Sequence, residues 1–154
     1  MDLALPSQQV IEGQALLGAP SWPERTCISL VIRLVRALGQ DPSEAEGRWG
    51  KMTEARAMAT ALRAYPEFAP DVYGDELVKL GWVSLPPSLM LMPCDVVGML
   101  PPVAFGDGYC APENPASGWV GIVGPDHGVY GYSTYGIQRT MTGVEAIRRI
   151  WRLS

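Results

Sequence analysis

Trp119-Val-Gly-Ile-Val-Gly124-Pro-Asp-His-Gly128-Val-Tyr-Gly-Tyr132 is the stretch on which the reading of this fold turns. Two short runs of β-branched and aromatic residues, Trp119–Val123 and 129–132, flank Gly124-Pro125-Asp126-His127-Gly128. Glycine, proline and aspartate packed that closely make a tight turn, and the flanking residue types suit the pleated surface of a strand. The stretch therefore predicts a β-hairpin. An isolated hairpin is barely stable in water, so further strands must complete a sheet. Candidates stand on both sides: Trp82–Leu85 and 96–100 before it, Gly136–Arg139 and Ile147–Leu153 after it. Each is short, apolar and set off by glycine or proline, and together they read as an antiparallel sheet.

Upstream of residue 82 the apolar residues change period. Leu30, Val31, Leu34, Val35 and Leu38 recur at helical spacing, which predicts a helix from Cys27 to Gly39 with one broad buried face. Thr26 suits its N-cap and Gly39 its C-terminal stop. Shorter helices are predicted over 7–18, over 54–64 with Thr53 as cap, and over 73–80 closed by Gly81. Helices first and strands second is the α+β arrangement, with N-terminal helices packed on a C-terminal antiparallel sheet.

Composition sets the outer bounds. The 154 residues are the size of one ordinary domain, so a single domain over 1–154 is expected. Apolar residues at 47% and charged residues at 18% supply a core and exclude a disordered chain. A net charge of −4 argues against a nucleic-acid partner. No apolar run approaches the ~18 residues of a membrane span. The start, Met1 to Pro6, lacks the basic residues and apolar run of a signal peptide, so synthesis in a cytoplasm is expected. With that, the three cysteines read as free thiols. Cys94, Cys110 and His127 match no zinc-finger spacing, and no phosphate or dinucleotide loop, zincin or nucleophile-elbow motif is present, so no metal and no cofactor is expected.

Cys27 is the residue with the clearest chemical opportunity. At the first turn of a helix the free amides and the dipole stabilise a thiolate, so Cys27 is the candidate nucleophile. It also stands one turn before Val31 on the apolar face, where a cysteine packs as a small hydrophobe. His127, the only histidine, is the candidate base. It falls in the predicted turn, and five residues of strand at about 3.3 Å each put it some 15 Å from the cysteine. Trp119, Tyr130, Tyr132 and Tyr135 read either as an exposed patch for a sugar or partner, or as core and sheet packing. Asp95 reads as a strand-start acceptor for backbone amides, and Arg139, Arg148, Arg149 and Arg152 as a solvated face. The long loop over 106–118, with Asp107, Cys110 and Glu113, reads as partner-facing.

Taken in order, these segments resemble the NlpC/P60 family, the papain-like cysteine peptidases of cell walls. In that family an Asp/Asn-Cys-Ser motif opens the core helix, a Gly-Asp-hydrophobic strand follows, and His-Val-Gly-Ile-hydrophobic-x-Gly carries the base. Here Cys27 heads the helix, Cys94-Asp95-Val96-Val97 enters a strand, and Trp119-Val120-Gly121-Ile122-Val123-Gly124 follows. Arg148-Arg149-Ile150-Trp151-Arg152-Leu153 is similar to the last strand of a degenerate phage-encoded branch. The likeness covers roughly residues 21–153. It departs at three places: Thr26 precedes the cysteine, Ser29 is displaced by one position, and Trp119 fills the histidine slot. Tryptophan cannot accept the thiol proton, and without a base the leaving amine also lacks its acid.

The resemblance implies a papain-like NlpC/P60-type fold and a structural or interaction role in a bacteriophage particle, at the tail or tail tip, with other virion proteins as partners. The alternative is a working cysteine peptidase or amidase that cleaves peptidoglycan with Cys27 as nucleophile. A third reading is an inhibitor or immunity-type protein whose acidic surface meets a basic partner.

Overall fold

The computed structural model describes residues 2–16, 27–43, 63, 68, 70–87, 90–100, 102–106, 108, 110, 118–133 and 136–154, with only the backbone of 14–16, 27 and 28. The expected helix over 54–64, its cap Thr53, the cap Thr26, Tyr135 and most of the 106–118 loop lie outside these residues. Among the described residues three α-helices, α1 (Ala4–Leu16), α2 (Cys27–Ala37) and α3 (Asp71–Lys79), precede six strands. The fold is α+β, as the order of periods predicts.

Helix α1 begins earlier than the 7–18 expected, and residues 17 and 18 lie outside the described ones. The Asp2 carboxylate accepts the Ala4 amide at 3.0 Å and starts the helix there. Pro6 sits in the first turn, where its missing N–H has no intrahelical partner to lose. Helix α2 buries Leu30, Val31, Leu34 and Val35 completely. It closes as the sequence predicts: the Gly39 amide reaches Arg36 O at 2.9 Å, the Gln40 amide reaches Val35 O at 3.1 Å, and Gly39 takes φ +81°. This double closure needs a left-handed residue, which glycine supplies without a Cβ clash. The Gln40 carboxamide then donates to Leu80 O at 2.8 Å and accepts the Trp82 indole N–H at 2.7 Å, joining the ends of α2 and α3 to the first strand.

The strands are β1 (Trp82–Leu85), β2 (Val96–Met99), β3 (Trp119–Val123), β4 (Val129–Ser133), β5 (Gly136–Arg139) and β6 (Ile147–Leu153). They form one antiparallel sheet in the order β1-β6-β2-β3-β4-β5. The predicted hairpin joins β3 to β4, with the His127 amide on Gly124 O at 3.0 Å and the Gly124 amide on Gly128 O at 2.9 Å. His127 takes the left-handed position of this three-residue loop, φ +65°.

Strand alternation splits the core in two. Trp82, Val96, Val120, Ile122, Tyr132, Ile137 and Trp151 face α1, α2 and α3 and meet Val10, Leu34 and Leu77. Val97, Met99, Trp119, Val123, Val129 and Ile150 face the other way and are covered by Leu91, Val103 and Phe105 from loops. Among the described residues no helix is long and apolar enough to cross a membrane.

The entry to β2 is the most constrained turn. The Asp95 amide bonds Met92 O at 3.0 Å, with Pro93 and Cys94 between them and Cys94 at φ +71°. This is the type II geometry, in which proline is favoured at the second position and the third must be left-handed. The fully buried Asp95 carboxylate accepts the Met92 amide at 2.9 Å and two N–H groups of Arg152, both at 2.8 Å. Asp95 is thus the backbone acceptor the sequence suggests, and it is also half of an ion pair.

Arg139 and Arg148 are exposed, as a solvated face requires, whereas Arg149 and Arg152 depart from that expectation. Arg152 pairs with Asp95, and Arg149 pairs with Asp71 at 3.0 Å while lying 5.5 Å over the Phe68 ring. Arg139 stands 3.7 Å from Asp126, and Arg148 donates to Glu145 O at 2.8 Å. Their partners are far away in sequence for Arg149 and Arg152, which hides them from a reading of local charge.

Candidate functional site

Cys27 opens α2, the position from which a helix end favours a thiolate; its side chain lies outside the described residues. The head of the helix is located by Ser29, whose hydroxyl is 3.0 Å from the Tyr132 hydroxyl on β4. Both residues belong to the helix side of the sheet.

Trp119 is on the other side. It is 7% exposed, packs with Phe105 at 6.0 Å between ring centroids, and belongs to the core away from α2. Its indole rests on the bare backbone of Gly121 and Gly131; a Cβ at either position would overlap the ring. Two glycines therefore form the seat of this tryptophan.

His127 sits at the hairpin tip with its Nδ1 2.9 Å from Leu91 O. A carbonyl only accepts, so Nδ1 is the donor in this bond. Tyr132 lies five residues further along β4, about 16 Å at strand rise. The structure therefore holds His127 and the α2 head at opposite ends of that strand.

The three candidate aromatics are not one patch. Tyr132, 8% exposed, and the half-buried Tyr130 share the helix side, while Trp119 faces away from them. The Tyr130 hydroxyl donates to Asp126 at 2.9 Å, and the Gly128 amide reaches the same carboxylate at 3.1 Å. Burial works to raise the Asp126 carboxyl, but the Gly128 amide, the Tyr130 hydroxyl and Arg139 outweigh it and hold it below its ordinary value. Burial, and then the bond to Asp126, raise the Tyr130 hydroxyl above its own. This group clasps the hairpin.

Cys94 is the opposite of an activated thiol. Cys94 is 3% exposed, its thiol donates to Leu3 O, and burial pushes it up to about 11. Cys110 is exposed and free. Among the described residues no three histidine, cysteine or acidic side chains gather as a metal site.

The one feature the sequence did not point to is a cavity of about 580 Å³ on the loop side of the sheet. Leu91, Met99, Val129 and Ile147 give it apolar walls, and His127, Gln138, Thr140 and Thr142 add polar groups. Arg139 borders it, but its side chain crosses Gly128 on the helix side towards Asp126. The volume is that of a small-ligand pocket. Five separate segments build it, so no local motif announces it.

No protein-family model, no curated protein and no solved structure matches this chain.

Proposed function

We propose that this chain is a non-catalytic, contact-making protein on an NlpC/P60-type, papain-like fold, and that it works in a bacteriophage particle at the tail or tail tip. The observation that carries the reading is Trp119. The residue in the slot that the resemblance assigns to the base is an indole, it faces away from the helix headed by Cys27, and it rests on two glycines. Thiol chemistry on an amide requires a base within about 3 Å of the nucleophile and a third group that holds the base. His127, the remaining imidazole, is engaged with Leu91 at the far end of β4. Supporting the family likeness, the segments that suggested it, α2, β2, β3 and β6, lie side by side: β6 and β3 flank β2, and α2 packs on β3.

The test has two arms. Purified parent, Cys27→Ala and Trp119→His proteins are incubated with isolated peptidoglycan and release of amines is followed. All three are expected to match buffer; release by the parent that Cys27→Ala abolishes would establish the peptidase instead. Mass spectrometry of purified particles tests location: the chain is expected in stoichiometric amount, and its absence from particles rejects the virion role.

A further inference from the structure

Among the described residues β1 is an edge strand whose one neighbour is β6. Its sequence, Trp82-Val83-Ser84-Leu85, carries no charge and no proline, the usual guards of an exposed edge. Val83 is 44% exposed and Ser84 is exposed too, although neighbours in a strand point to opposite faces. Exposure on both faces is what an uncovered edge gives. The opposite edge of the sheet is guarded: β5 ends on Arg139, and just beyond it the Met141 amide donates to Ala104 O at 2.8 Å.

Hydrogen-bond alternation decides which groups β1 turns outward. In an antiparallel ladder successive residues direct their N–H and C=O to opposite neighbours. The Val123 amide donates to Asp95 O at 2.9 Å, so Asp95 faces β3. Val96 therefore faces β6, opposite Trp151. Trp151 in turn faces β2, so Arg152 faces β1, opposite Val83. Val83 and Leu85 are thus engaged with β6, and the backbone N–H and C=O of Trp82 and Ser84 point to the free edge. Among the described residues no hydrogen bond engages them.

We propose that this edge pairs with a second copy of the chain, the two β1 strands running antiparallel about a two-fold axis at Val83. Such an axis keeps each face of the sheet continuous, so residues of like direction must meet and the axis passes through a residue. With the axis at Val83, Trp82 stands opposite the partner's Ser84, and the reverse, and every outward group of both strands is paired. With the axis at Ser84, Trp82 would stand opposite the partner's Pro86, which has no N–H to give. The Val83 axis also makes the two valines a non-hydrogen-bonded pair, Cα atoms about 4.5 Å apart, in which each side chain covers the other. Helix α3 packs on β1 and β6, so strand spacing of about 4.8 Å brings the two copies of α3 to about 10 Å, the contact distance of helices. Because β5 is guarded, the pairing closes as a dimer and does not extend into a fibre.

The experiment follows the full chain by sedimentation equilibrium from about 1 µM to about 1 mM, the span of weak complexes. A monomer–dimer equilibrium is expected. Val83→Lys sets two like charges opposite each other and removes the valine contact; it is expected to weaken the dimer about tenfold, with the far-ultraviolet circular dichroism unchanged because the side chain is exposed. Cross-linking reads the register. In a Cys110→Ser background, Val83→Cys is expected to form a disulfide between the copies on mild oxidation, at a Cα separation of about 4.5 Å. Ser84→Cys, on a diagonal of about 7–8 Å, is expected to cross-link about fivefold more slowly. A chain that stays monomeric at about 1 mM overturns the proposal. So does a dimer that Val83→Lys leaves as tight as the parent, or faster cross-linking through Ser84→Cys than through Val83→Cys.

Discussion

Replacing Asp95 by alanine removes a carboxylate that is fully buried and holds three donors: the Met92 amide and two N–H groups of Arg152. Breaking a buried ion pair from one side costs about 3–5 kcal/mol, because the partner charge and the amide are left without acceptors. The Arg152 side chain keeps 30% of its exposure and also holds Met90 O at 2.8 Å, so it recovers some hydration. The expected loss is therefore at the low end, about 3 kcal/mol. Asp95→Asn keeps an acceptor for Met92 and is expected to cost about 1–2 kcal/mol. In a cycle with Arg152→Met, the coupling energy should reach about 2 kcal/mol, since the double variant leaves no orphaned charge. Urea unfolding followed by tryptophan fluorescence, at constant m, reads all four proteins. A cost below about 0.5 kcal/mol for Asp95→Ala, or a coupling near zero, would refute the claim that this pair anchors the entry to β2.

Three further outcomes follow from the same geometry. The folded state keeps the Cys94 proton to about 11, whereas an unfolded thiol loses it near 8.5–9, so the native state binds more protons in between and stability must fall as pH rises from about 9 to 11. The slope should approach about 1.4 kcal/mol per pH unit; Cys94→Ala should remove the fall that begins near pH 9 and leave the smaller one, at higher pH, from the raised Tyr130 hydroxyl. Asp126, held below its ordinary range, contributes stability above its unfolded value and loses it as pH falls through the folded one; Asp126→Asn should flatten the acid limb of the stability profile. Gly131→Ala puts a Cβ into the Trp119 ring, which should cost about 1–3 kcal/mol and change the near-ultraviolet circular dichroism of that indole.

The strands were legible in the sequence because glycine or proline sets off at least one end of most of them. Trp82–Leu85, Trp119–Val123, Gly136–Arg139 and Ile147–Leu153 occur with the expected limits. The α2 face and its Gly39 stop were equally plain, since a 3.6-residue period and a glycine stop are both local signals. What sequence could not carry was register across the hairpin. Trp119, Tyr130 and Tyr132 look like one aromatic group, yet the pairing of Ile122 with Tyr130 sends Trp119 to the other face. The same limit hid the partners of Arg149 and Arg152, which lie 78 and 57 residues away. The cavity is assembled from positions near 91, 99, 127, 140 and 147, and only the folded sheet brings them together.

The place of β6 between β1 and β2 bears on how the chain is made. During synthesis β1 emerges early, but its one neighbour in the sheet consists of residues 147–153. Until those have left the ribosome, β2 offers an open edge and the indole of Trp151 is missing from the helix-side core. The helices and the β2-β3-β4-β5 meander can gather beforehand, but the sheet closes only with this late arrival. Interruption of translation before residue 147 would therefore release chains with two exposed strand edges, the kind of surface on which nascent proteins stick to one another.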